Sequence, residues 1–134
     1  MKRLLFIITV LVLPACSWAQ AKLPKELVGI WATDASVLRD GKWLTSGQAL
    51  YLGEDGVGAV VGGPPPIGVQ ATATFDATKN LLSMNLIEQG KVVHRLQISY
   101  DDKEKVLRED SRKPQSFKRR SEVFDATTRK GLGL

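Results

Sequence analysis

Apolar and polar residues alternate along most of this chain with a period of two, the spacing that puts successive side chains on opposite faces of a β-strand. From Ile67 to Phe75 the odd positions Ile67, Val69, Ala71, Ala73 and Phe75 are apolar, and Gln70, Thr72 and Thr74 stand between them. From Leu82 to Leu86 the apolar set is Leu82, Met84 and Leu86, against Ser83 and Asn85. From Val92 to Tyr100 it is Val92, His94, Leu96, Ile98 and Tyr100, against Arg95, Gln97 and Ser99. One wet face and one dry face is the mark of an antiparallel sheet. Val28–Thr33, Ala49–Leu52, Val57–Val61, Lys105–Glu109 and Ser116–Arg119 extend the pattern to about eight strands.

The segments between these runs carry turn chemistry. Asp40-Gly41 and Asp55-Gly56 are hairpin dipeptides, and Gln89-Gly90 separates two of the clearest strands. Gly62-Gly63-Pro64-Pro65-Pro66 cannot join a hydrogen-bonded ladder, because proline donates nothing to it, so it reads as a stiff connection. Tyr51, Phe75, Tyr100 and Phe124 recur 24, 25 and 24 residues apart, each just before acidic turn residues. That interval suits two strands and two turns of a meander. The predicted fold is therefore all-β: a small antiparallel up-and-down β-barrel, or a strongly curled meander.

The first 21 residues break the pattern. Met1-Lys2-Arg3 is a short basic start, Leu4 to Leu13 is an uncharged and almost wholly apolar run, and Pro14 ends it. A run of ten residues is too short to span a bilayer, which takes about 20, but it fits the core of a cleavable signal peptide. Small residues allow cleavage after Ala19 or after Ala21. The expected organisation is a signal peptide over 1–21, a barrel domain over 22–120 and a basic segment over 121–134. The expected location is periplasmic or secreted. Leu13-Pro14-Ala15-Cys16 also resembles a lipobox, which gives the alternative of a lipoprotein anchored through Cys16.

Charge and chemistry narrow the function classes. The formal charge of +5 includes Lys2 and Arg3, and residues 22–111 carry 10 basic against 12 acidic groups. The basic excess lies in residues 112–134, with 7 basic and 2 acidic groups. That excess is open to contact with an acidic partner or an anionic surface, while no stacking pattern points to nucleic acid. Cys16 is the only cysteine and His94 the only histidine, which leaves little for thiol, metal or triad chemistry. Asp101 and Asp102, beside Lys103 and Lys105, read as a hairpin tip and not as an acid–base pair. The sequence points to a binding protein and not to an enzyme, with no cofactor and no metal.

Gly29-Ile30-Trp31 on the first strand resembles the opening signature of the calycins, the lipocalin-like β-barrels. The resemblance implies that Trp31 closes one end of the barrel and packs against an arginine of the last strand, Arg119 or Arg120. It also implies a ligand cavity. His94 shares the apolar phase of its strand and is expected to face inward, and with Tyr100 and Met84 it forms the candidate ligand-binding set. Two functions follow as expectations. One is an inhibitor-, immunity- or accessory-type envelope module that docks a macromolecular partner on a rigid scaffold. The other is a carrier of a small apolar ligand.

The signal reading predicts an exported, soluble form that begins at Gln20 or Lys22, measured as its intact mass. An acylated N-terminus at Cys16 would place it on a membrane instead.

Overall fold

The computed structural model describes residues 22–34, 36–39, 42–45, 47–63 and 67–134, and only the backbone of 36–39 and 42–45. The signal segment, Cys16, the Asp40-Gly41 dipeptide and Pro64 to Pro66 lie outside the described residues. Eight antiparallel strands close into a barrel. In chain order they are β1 (Gly29–Ala32), β4 (Gln48–Leu52), β5 (Val57–Gly62), β6 (Ile67–Asp76), β7 (Leu81–Glu88), β8 (Lys91–Asp101), β9 (Val106–Glu109) and β10 (Ser116–Ser121). Each strand pairs with the next in the chain, apart from one excursion between β1 and β4. There β2 (Ser36–Arg39) and β3 (Lys42–Thr45) form a separate two-stranded ribbon.

The alternation read from the sequence decides which side chains fill the barrel. Ala71, Ala73 and Phe75 of β6 sit opposite Leu86, Met84 and Leu82 of β7. Leu82 and Met84 in turn face Ile98 and Leu96 of β8. An eight-stranded barrel has an interior just wide enough for side chains to fill it. Leu50, Leu52, Leu82, Met84, Ile98 and Leu107 each have no accessible surface, so no water-sized space touches them. The middle of the barrel is solid.

The tight turns use the residues that tolerate them. Gln89 and Gly90 both have positive φ (51° and 74°), the geometry of a two-residue type I′ hairpin. Asp76 and Asp101 each accept two backbone N–H groups of the turn that follows them. Asp125 accepts the N–H of Thr128 and caps a short helix, α1 (Ala126–Gly131). The aromatics before these acids meet in pairs. Phe75 and Tyr100 touch edge to face inside the barrel, whereas Tyr51 and Phe124 meet on its outer wall.

Closure depends on β1, which pairs with β4 on one edge and β10 on the other. Gly29 has φ +133°, and a Cβ there would lie 2.0 Å from the Ser121 carbonyl oxygen. The first residue of the signature is glycine because the last strand passes where a side chain would be. Gly29→Ala is therefore expected to destabilise the barrel by about 3 kcal/mol, strain and overlap together. The fall in urea midpoint measures it, and an unchanged midpoint would show that β1 and β10 do not close the sheet in solution.

Candidate functional site: the two ends of the barrel

The two ends of the barrel are built differently. At the first end the strands β1 and β10 place Trp31 and Arg119 directly opposite each other. Residues paired across a ladder share a face, and this one is inward. Trp31 is 1 % exposed and its indole N–H donates to the Leu27 carbonyl at 2.9 Å. The turn before β1 folds across the opening and buries Leu23 and Leu27 against the tryptophan.

Arg119 fastens this turn. Its Nη2 donates to the carbonyls of Lys25, at 2.7 Å, and Val28, and its Nε donates to Val28 at 3.1 Å. The guanidinium carbon stands 6.0 Å from the Trp31 ring centroid, at the outer limit of a cation–π contact, which is about 6 Å. The arginine's main work is therefore hydrogen bonding to the carbonyls of the turn, that of Lys25 being shared with the Val28 N–H, and contact with the indole face is secondary. Arg120 points elsewhere, to the Thr33 carbonyl and Asp34. Beside the plug lies a cleft of about 460 Å³ bordered by Glu26, Lys105, Arg119 and Glu122, with the edges of Trp31 and Tyr100 at its floor.

Tyr100 belongs to this end. Its ring meets Trp31 edge to face at 6.2 Å and Phe75 at 6.3 Å. Met84 is 0 % exposed in the solid middle. His94, six residues up β8 from Tyr100 and so about 20 Å away, stands at the opposite end and is exposed. The three candidate ligand residues thus share a face of the sheet but do not meet in one site. The expectation that His94 is buried is corrected. Its inward phase is right, since it pairs with the half-buried Leu86, but at this height the barrel no longer encloses it.

Among the described residues the second end is open, and the strand lengths give the reason. β8 has eleven residues and β7 eight, whereas β9 has four. The β7–β8 ribbon therefore projects past its neighbour, and all five residues Lys91 to Arg95 are exposed. Val69, Leu86 and Leu96 line the inner face of this mouth, half-buried. A register shift between Leu86 and Ile87 seats Val92 opposite Ile87, off the alternation of Leu86 and His94. Val92 and Ile87 then share the outer face, and Val92 and Val93 are 49 % and 53 % exposed.

The basic C-terminal segment is not a free tail. Phe124, Leu132 and Leu134 pack on an apolar patch of the outer wall made by Ile30, Ala32, Ala49, Tyr51, Ala59 and Val61. Arg129 grips Asp55 with both Nη atoms, at 3.2 and 2.9 Å, and lies 5.4 Å from the Phe124 ring centroid. Gln70 donates to the Gly133 carbonyl at 2.8 Å. The Arg129 hydrogen bond is the main cause that holds the Asp55 carboxyl below its usual range.

Compared with known proteins, the chain matches no family model, no curated protein and no solved structure, so its function has to be argued from this geometry.

Two predictions come from these ends. Trp31→Ala should cost about 3–5 kcal/mol, the range for emptying a large aromatic site. Arg119→Met, which keeps the stem but removes the guanidinium donor from the Lys25 and Val28 carbonyls, should cost about 1–3 kcal/mol. Chemical unfolding reads both, and an unaffected Trp31→Ala midpoint would remove the plug from the account. The depressed Asp55 pKa sets the sign of the second prediction. Its contribution is complete above the unfolded carboxylate value of about 3.9 and is lost as pH falls through the lower folded value. Protection of the α1 amides, taken relative to the intrinsic exchange rate at each pH, should therefore fall on acidification, and Arg129→Ala should remove the Asp55 share of that fall while leaving the share of the Asp125 cap.

Proposed function

We propose that this chain is an exported binding module that engages a macromolecular partner through the open rim of its barrel. The observation that carries the reading is the exposed pair Val92 and Val93, with Ile87 beside them, on the outer face of the projecting β7–β8 ribbon. A contiguous exposed apolar patch is a candidate contact surface. A small ligand held inside the barrel would not cover them, because they face away from it. The packed middle around Met84 supports the same choice, since the described side chains Leu50, Leu82, Met84 and Ile98 beneath the mouth have no accessible surface.

A second reading has one observation in its favour. Val69, Leu86 and Leu96 form an inward, half-buried apolar wall above Met84, which suits a shallowly seated apolar ligand. That is how a lipocalin-like member of the calycins would use the mouth, and the closed antiparallel eight-stranded barrel is compatible with such a fold.

Capture from envelope extract tests the first reading when paired with variants at each end. A partner retained by the wild type should be lost with Val92→Glu and kept with Lys105→Glu at the closed end. Loss with Lys105→Glu alone would move the binding surface to the plugged end. An apolar small molecule that co-purifies and shifts only the Leu86 and Leu96 methyl signals would favour the carrier.

A further inference from the structure

The projecting part of β8 has a hydrogen-bonding edge with no strand beside it. β8 pairs with β9 only from Ile98 to Asp101, and the last contact is the Asp110 N–H donating to the Gln97 carbonyl at 3.1 Å. Beyond it the chain bends away at Ser111 to Lys113 before returning in β10. The direction of the main-chain groups follows from two bonds. Tyr100 donates its N–H to Asn80, at the start of β7, so even-numbered residues of this stretch turn toward β7. Gln97 turns its carbonyl the other way, so Arg95 does too. Among the described residues nothing receives the Arg95 N–H or carbonyl, or the Gln97 N–H.

We infer that this edge takes up an extended polypeptide segment as an added antiparallel strand, on the line that β9 leaves at Asp110. The inference rests on the rim reading above and names the partner's chemistry. An unpaired strand edge offers a row of donors and acceptors that only another extended backbone can match. The flanking side chains set the rest. Arg95 projects outward, opposite Asn85, while Leu96 and His94 face the mouth. The bend beyond β9 carries Arg112 and Lys113 against Asp110, which leaves the edge net positive.

The fitting segment therefore has acidic residues on its outer face, against Arg95, and apolar residues on its inner face, against Leu96. A second copy of this chain is a poor match. Two such edges laid antiparallel would bring one Arg95 toward the other, and like charges across a ladder repel.

The probe is an acetylated peptide alternating valine and glutamate, titrated into the ¹⁵N-labelled protein, with a control N-methylated at the positions that face β8. The unmodified peptide should shift the amides of residues 91–97 and slow exchange of the Arg95 N–H. N-methylation should weaken binding about tenfold or more, the worth of one or two hydrogen bonds. Arg95→Pro should do the same beyond the effect of Arg95→Gln, because it deletes an edge donor and leaves the β7–β8 ladder intact. No shifts at millimolar peptide, or equal affinity for the N-methylated control, overturns strand addition. If capture from extract still depends on Val92 in that case, the rim reading stands without it.

Discussion

A sheet of eight strands becomes a barrel only when its first strand is hydrogen-bonded on both edges, and here that strand is four residues long. Everything else in the molecule depends on keeping β1 between β4 and β10. Gly29 lets the Ser121 carbonyl come within reach of its backbone. Trp31, two residues on, gives the strand a buried anchor too large to leave its place cheaply. Arg119, directly across the ladder, ties the preceding turn down by its carbonyls. The three residues are one device, in which a close approach, a large side chain and a charged donor hold a seam that few ladder bonds secure. Outside the seam, the C-terminal segment adds a second fastening, with Phe124, Leu132 and Leu134 over the outward residues of β1, β4 and β5.

The eight barrel strands were legible because one face of each is buried, and burial of one face forces a period of two. The β2–β3 ribbon was less so. Ser36-Val-Leu-Arg39 and Lys42-Trp-Leu-Thr45 put apolar residues side by side, without alternation, and they pair in a two-stranded sheet separate from the barrel. The helix was missed for a different reason. Phe124-Asp125-Ala126-Thr127 has the same local form as Phe75-Asp76-Ala77-Thr78. An aspartate caps a hairpin turn and a helix N-terminus with the same acceptor oxygen. What separates the two is whether a partner strand follows, and that is not local information.

His94 marks the boundary between pattern and packing. Alternation gives the side of the sheet on which a residue lies, and for His94 that side was right. Burial depends also on how far the neighbouring strands extend, and β9 stops at Glu109, opposite Ile98. Along the inward row of β8, Ile98 is sealed, Leu96 half-buried and His94 exposed. The same mismatch explains why His94, Met84 and Tyr100 could look like one site in sequence and occupy three levels of the barrel in space. The pairing of Trp31 with a last-strand arginine was implied by the calycin resemblance, which left Arg119 and Arg120 open, and the ladder register selects Arg119.

The two ends then differ in the kind of order they contain. At the plugged end, side chains satisfy main-chain groups: Arg119 donates to the Lys25 and Val28 carbonyls, and Trp31 to that of Leu27. At the open end that substitution has not been made. Arg95 is exposed and, among the described residues, its peptide groups have no partner, and Val92 and Val93 displace onto the outer face at a register shift. Bulges and cations are the usual protection of an exposed strand edge against indiscriminate pairing. Starting β8 at Leu96 would remove no buried side chain, since residues 91–95 are all exposed. The ribbon is thus exposed along Lys91 to Arg95, with a register shift and an arginine as its protection among the described residues.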